Sequence, residues 1–325
     1  MRASTTRLAT LLTALIAFGI AALPFAAQAA DTVRIGKAVT SSFTFAALEV
    51  GKEQGIWASE GIDIQISAFR GDGQLQQAFS AGALDFGLGS GPAMGYTVKG
   101  VPARAVASIA EEPRDMSVVV TNNSPVKTID DLKGKRIGVT TAGSLTDWLA
   151  RRLAVNKGWG SDGVEVVPLG EMRTRLAAMK SGDLDASVTA TEESLQIQEQ
   201  GAGRMLMTFG DTVPDFDTHV IFASDALRKT NPDLVRRVLR AWFKTIAFMR
   251  ANRAETVKSV AKTMGLSEAV IDMAYDEEVK MLSRDGSFSP KSLEVIRVSL
   301  KDLGILDQVP EASALYDASF TPVKF

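Results

Sequence analysis

The 325-residue chain contains no cysteine and a single histidine. The first absence excludes disulfides, thiolate metal ligands and thiol catalysis, together with the lipid-modified cysteine that tethers many exported proteins. The second excludes a histidine-rich metal site and leaves a serine–histidine hydrolase only His219, with no G-x-S-x-G elbow to accompany it. No metal, no cofactor and no catalytic residue are therefore expected. Basic blocks are missing as well. The formal net charge is −2, which removes the electrostatic footprint of a nucleic-acid-binding protein. Beyond the N-terminus, no stretch approaches the ~18 uninterrupted apolar residues that a spanning helix needs. Gly87-Leu88-Gly89-Ser90-Gly91 matches a dinucleotide fingerprint only in part: Pro92 takes the last glycine position, and no ribose-binding acid follows at suitable spacing.

What the chain does have begins with a leader. Arg2 and Arg7 precede an apolar run over residues 8–25, and Ala27-Gln28-Ala29 follows, the pattern of a secretory signal peptide cleaved before Ala30. Two of the 36 Lys and Arg residues lie in that leader and none of the 38 Asp and Glu do, so the mature chain carries a net charge of about −4. An exported chain with no lipid tether implies a closed compartment, so the expected location is the periplasm. The remaining residues exceed the usual size of one compact core, which makes two domains the default expectation.

An internal repeat gives those domains their shape. Val33-Arg34-Ile35-Gly36 corresponds to Lys135-Arg136-Ile137-Gly138, Gly61-Ile62-Asp63-Ile64 to Gly163-Val164-Glu165-Val166, and Gly82-Ala83-Leu84-Asp85 to Gly182-Asp183-Leu184-Asp185. Three short segments in one order at nearly constant offset, with helix-like stretches between them, predict two similar βαβαβ lobes. The first lobe takes strands over 33–39, 62–69 and 84–88, with helices over 45–54 and 74–80. The second takes strands over 136–140, 164–167 and 184–188, with helices over 148–155 and 172–179. The resulting fold class is α/β, two doubly wound lobes joined by a two-crossing hinge. Residues 30–119 with 220–325 form lobe one, and residues 120–219 form lobe two. The crossings are expected near 118–121 and 219–223, β-rich segments that flank the second repeat. Asn231 caps a helix with Pro232 at its first position, and Leu234, Val235, Val238, Leu239, Trp242, Phe243 and Ile246 share its buried face. Further helices over 267–282 and 290–303 are expected to cover lobe one.

In open α/β sheets a ligand binds beyond the carboxyl ends of the strands, where loops and helix N-termini present free N–H groups. Those ends carry Ser41, Ser42 and Phe43, then Arg70, Gly71 and Gln74, then Ser90 and Gly91. In lobe two they carry Thr141, Gly143, Ser144, Leu145 and Thr146, then Thr189 and Glu192. Small, hydroxylated, glycine-rich loops suit a sulfonate- or carboxylate-like head group, because backbone N–H groups and helix dipoles favour negative charge; the same Ser and Thr residues also serve as ordinary helix caps. Arg70 can fork onto an oxyanion or pair with Asp72. Glu192 and Glu193 pull the other way, towards a ligand with N–H donors, or else face solvent at a helix start. Phe43, Phe45 and Trp148 pack on the organic part of a ligand or belong to the core.

Gly55-Ile56-Trp57 with Glu60-Gly61-Ile62-Asp63, then residues 81–87 (Ala-Gly-Ala-Leu-Asp-Phe-Gly), then Ile129-Asp130-Asp131-Leu132-Lys133-Gly134-Lys135 leading into Arg136-Ile137-Gly138-Val139, resemble the periplasmic binding proteins for nitrate, sulfonates, taurine and thiamine pyrimidine precursors. Met264-Gly265-Leu266 with Val270 is similar to their C-terminal helical region. The resemblance implies a type II periplasmic binding protein that closes over a small-molecule solute and docks, as a monomer, on the permease of an ABC importer. It places the cleft on residues 41–43, 70–74, 89–91, 142–146 and 189–192. The last of these departs from the sulfonate and taurine pattern of an aromatic followed by an acid and proline, since it reads Thr189-Ala190-Thr191-Glu192-Glu193-Ser194. Two other functions share the fold: binding or synthesis of a thiamine pyrimidine precursor, and a sensory receptor for a membrane kinase. The leader and the missing cysteines oppose the synthetic one.

Overall fold

The structure, a computed structural model, describes residues 30–213 and 215–325, so the leader expected over 1–29 lies outside the described residues. β1 (Asp31–Lys37) pairs in parallel with β2 (Ile62–Ala68) and β3 (Phe86–Ser90). Val33, Ile35, Ile62 and Ile64 alternate inward along their strands and are buried, as the two-residue period of a strand requires. β4 (Ala103–Glu111) follows, and the chain passes to a second sheet built from β5 (Met116–Thr121), β6 (Arg136–Val139), β7 (Glu165–Pro168), β8 (Ala186–Ala190) and β9 (Gly203–Thr208). β10 (Asp217–Ser224) returns to the first sheet. The strand orders are β2-β1-β3-β10-β4 and β7-β6-β8-β5-β9, the same order twice.

The repeat is built from the same atoms in both sheets. In the first, the Arg34 backbone N–H donates to Asp85 Oδ2 at 2.9 Å and its guanidinium reaches Asp85 Oδ1 at 2.8 Å and the Gly82 carbonyl at 3.0 Å. In the second, the Arg136 N–H donates to Asp185 Oδ2 at 2.9 Å and its guanidinium reaches the Gly182 carbonyl at 2.7 Å. Each aspartate thus spends its side chain holding the turn before the third strand. For that reason β3 and β8 start two residues later than the sequence suggests.

Neither sheet is wholly parallel. β10 runs against β3 and β4, and β5 runs against β8 and β9. Each reversed strand is the one by which the chain enters that sheet from the other. The crossings expected at 118–121 and 219–223 therefore fall inside β5 and β10, paired on both sides, and the actual passages are 112–115 and 209–216. Each passage contains a non-glycine residue with left-handed backbone, Glu112 at φ 62° and Asp215 at φ 53°, a conformation that costs of order 1–3 kcal/mol and persists only where the surroundings impose it.

Helices flank the sheets. In the first lobe they are α1 (Ala47–Glu53), α2 (Ile56–Ser59), α3 (Asp72–Ser80) and α4 (Gly95–Val98); in the second, α5 (Leu145–Asn156), α6 (Met172–Ser181) and α7 (Thr191–Glu199). The rest is α8 (Asp225–Thr230), α9 (Pro232–Ala251), α10 (Arg253–Met264), α11 (Glu268–Met281) and α12 (Pro290–Asp302). α9 is capped as its sequence predicts: Asn231 accepts from the Leu234 N–H at 3.1 Å, Pro232 takes the first turn, and the seven apolar residues named for its face are all buried. α11 and α12 reach beyond the first lobe. Trp148 of α5 donates its indole N–H to Ser299 Oγ on α12 at 2.9 Å and stacks on Phe216 at 4.1 Å between centroids, while Ser267 at the head of α11 donates to Glu199 of α7 at 3.2 Å.

Candidate solute site

The carboxyl ends of β1, β2 and β3 meet those of β6, β7 and β8 across a cleft with about 670 Å³ of empty space, part of it open to solvent. Ser41 and Ser42 come from the first loop, Arg70, Gly71 and Asp72 from the second, and Ser90 from the end of β3. Opposite lie Thr140, Leu145 and Thr146, then Gly170, Glu171, Met172 and Arg175, then Thr189, Ala190 and Glu193. Asp115 and Met116, where the first passage joins β5, and His219 of β10 complete the wall with Phe45.

The two lobes touch directly around this space. Thr40 Oγ1 donates to Glu171 Oε1 at 3.0 Å, Tyr96 Oη to the Ala142 carbonyl at 2.6 Å, and the Gly73 N–H to Thr141 Oγ1 at 3.2 Å. The Phe43 N–H donates to Glu192 Oε1 at 3.1 Å. Gly71 is needed at the seam: its φ is 115°, and a Cβ there would lie 2.6 Å from the Thr141 side chain. The clamp is closed in this structure.

Of the residues singled out from sequence, Ser41, Ser42, Arg70, Gly71, Ser90, Leu145, Thr146 and Thr189 line the cleft. The other seven stand behind or beside it. Phe43 is fully buried, edge-on to Tyr275 at 6.1 Å, and Gln74 is exposed, accepting from the Arg70 N–H at 3.2 Å. Gly91 is there for packing, since a Cβ would come within 1.9 Å of the Asp217 carbonyl. Thr141 makes the inter-lobe bond above, and the Gly143 N–H is held by Asp147 at 2.7 Å. Ser144 caps α5, accepting from the Asp147 N–H and bonding Thr140 and Thr146 at 2.9 and 3.0 Å. Glu192 is buried behind the wall rather than facing solvent.

A family model described as NMT1/THI5 like matches residues 42–256. The chain belongs to the NMT1/THI5 like family. A protein of Brucella abortus (strain 2308), named as a binding protein, is 29% identical over 249 residues, covering 73% of this chain and 76% of its own. The riboflavin-binding protein RibY of Chloroflexus aurantiacus is 25% identical over 245 residues, covering 72% and 69%. Among solved structures, the alkanesulfonate-binding protein SsuA from Xanthomonas axonopodis pv. citri, bound to MOPS, superposes with a TM-score of 0.75 at 19% identity, over 88% of this chain and 98% of that one. The two-sheet architecture is that of the periplasmic binding protein fold.

The electrostatics of this NMT1/THI5 like cleft differ from those its serine and threonine loops suggest. Its lining holds four carboxyl groups, Asp72, Asp115, Glu171 and Glu193, against the two guanidinium groups of Arg70 and Arg175. Arg70 is exposed. Arg175, on the helix expected over 172–179 and not singled out from sequence, is buried, and its guanidinium donates to the Gly170 carbonyl at 3.0 Å and Ser187 Oγ at 2.8 Å. Burial pulls its pKa down, opposed by Glu193 and Glu171.

Asp72 accepts from the Ser90 N–H and Oγ at 2.9 Å each and, across the cleft, from the Leu145 backbone N–H, although burial still pushes its pKa up. Asp115 is pushed up to about 7, chiefly by burial, and Thr44 Oγ1 donates to its Oδ2 at 2.9 Å. Behind it, burial takes Glu192 up to about 8, with Asp115 adding to the rise, and raises Glu278 of α11, which Glu192 and Asp115 reinforce. His219 is pulled down to about 3 by burial and so is neutral.

Asp115, Arg175 and His219 escaped selection by sequence because each lies away from the strand-end loops that the repeat marks. Asp115 was reachable in principle: it immediately precedes the β-rich run that leads into the second repeat.

Proposed function

We propose that the chain is the solute-binding component of an ABC importer, non-enzymatic and monomeric, working in the periplasm after export. The observation that carries this is the arrangement of six strand ends from two duplicated sheets around one cleft, bridged by hydrogen bonds between the lobes. Relatives named as binding proteins support it, and the leader-like N-terminus supports the location. The mechanism is hinge closure. A solute that bridges both lobes stabilises the closed state by the contacts it adds there, and the permease reads the closed form.

The apolar walls of Phe45, Met116, Leu145 and Met172 suit the organic body of a small polar solute. For its head group, the sequence favours an oxyanion, and Arg175 or Arg70 is the residue that would meet it. The surplus of carboxyl groups favours a donor instead.

Thermal unfolding of the mature protein against taurine, butanesulfonate, nitrate, benzoate, riboflavin and an aminopyrimidine tests solute capture. A ligand present at a hundred times its dissociation constant adds about 2.7 kcal/mol to the folded state, a rise of roughly 5 °C or more for a chain of this size. No response from any compound, before and after unfolding and refolding to release retained solute, contradicts the proposal. Turnover of a supplied compound contradicts its non-enzymatic part.

A further inference from the structure

We infer that Asp115 sets the specificity of the cleft, and that the solute meets it with a cationic or strongly polarised N–H group such as an ammonium or amidinium. This rests on the solute-capture reading above and narrows it.

Asp115 is 3% exposed and lines the cleft. Its Oδ2 is engaged by Thr44, but its Oδ1 accepts no hydrogen bond among the described residues. A buried carboxylate oxygen left unpaired carries an uncompensated desolvation cost, and buried acceptors are overwhelmingly paired in folded proteins. An N–H donor entering the cleft supplies what is missing, and a positive charge on that donor favours the ionised carboxylate.

Among the described residues, none supplies that donor. Beside Asp115 stands His219, whose Nδ1 lies 3.7 Å from Oδ2, beyond hydrogen-bond reach, and likewise has no partner among the described residues. The imidazole is held edge-on against Phe45, 5.1 Å between centroids. Arg175 is committed to carbonyl and hydroxyl oxygens of its own lobe. The cleft as a whole tilts the same way. Asp72, Glu171 and Glu193 stand with Asp115 on its walls, and a cation entering among them favours their ionised forms, whereas an anion opposes them.

Matched pairs decide the matter. Benzylamine and benzamidine are compared with benzenesulfonate and benzoate, and propylamine with propanesulfonate, by calorimetry and thermal unfolding on wild type and Asp115→Asn. Asn keeps the shape and an acceptor for Thr44 but removes the charge. The expected result is binding by the cationic members, at least tenfold weaker in Asp115→Asn, with a ligand-free melt no lower than that of wild type. Should Asp115→Asn melt early without ligand, Asp115→Ser is the second variant, with the same tenfold expectation. Binding by the anionic members alone overturns the inference and leaves solute capture standing. Cation binding unchanged in both variants also overturns it. Silence from every cationic member, when a compound of the first panel without a cationic or strongly polarised N–H group binds, overturns the inference and leaves solute capture standing; silence from both panels, after refolding to strip retained solute, contradicts the two together.

Discussion

At the scale of single residues, the charged side chains of the cleft follow burial more than position in sequence. Arg175 lies within a lobe-two helix, away from the strand-end loops, yet it brings a guanidinium to the cleft wall. Nothing in a 3.6-residue period distinguishes an arginine whose stem packs inward with its head in the cleft from one that snorkels to solvent. Arg175→Met keeps the stem and removes the head, leaving Ser187 Oγ and the Gly170 carbonyl without their donor and Glu193 without its counter-charge. The expected cost is about 2–4 kcal/mol in urea unfolding; a loss below about 1 kcal/mol would show that the guanidinium is not holding that wall. Phe43 errs in the other direction. Its place just after β1 suggested a ligand contact, but only its backbone N–H faces the neighbouring lobe, and its ring belongs to the core.

At the scale of elements, the repeat was legible because it is written in residues with specific jobs. Arg34 and Arg136 tie to Asp85 and Asp185, and glycine stands before each aspartate to end its helix. The three strands of each repeat and their parallel pairing followed from that, whereas β4 and β9 lie outside it. The reversal of β5 and β10 did not, because Val118 to Val120 and Val220 to Phe222 read as buried strand in either direction. The meeting of α7 and α11 at the first passage was also invisible, since it brings together three carboxyl groups far apart in sequence, Asp115, Glu192 and Glu278. Their meeting has a measurable consequence. Asp115 and Asp217, pushed up to about 7, and Glu192, pushed up to about 8, hold protons that the unfolded chain releases nearer pH 4. Between those limits the folded state binds more protons than the unfolded, so stability falls as pH rises. His219, pulled down to about 3, acts in the opposite sense only below about 6.5. From pH 6.5 to 8 the carboxyl groups act alone, and the free energy of unfolding should decline by up to about 1.4 kcal/mol per pH unit for each group still titrating. Glu192→Gln keeps an acceptor for the Phe43 N–H and removes one ionisation. Its decline should be shallower, with the largest gain over wild type near pH 8. Parallel curves for the two proteins would mean that Glu192 is not protonated when folded.

At the scale of the whole molecule, two lobes are joined by two short passages, each holding a residue in left-handed backbone, and are pressed together by bonds from Thr40, Phe43, Gly73 and Tyr96 to the opposite lobe. A solute that bridges the two lobes shifts the balance towards the closed form by the contacts it adds there. Closure is the central claim, and small-angle X-ray scattering of the mature protein tests it most directly, with and without saturating amounts of whichever panel compound binds. The expected result is a radius of gyration that falls on saturation towards the compact value, about 19 Å for a chain of this length. Identical scattering profiles for free and saturated protein, with binding verified in the same samples, would contradict a clamp that closes on its solute.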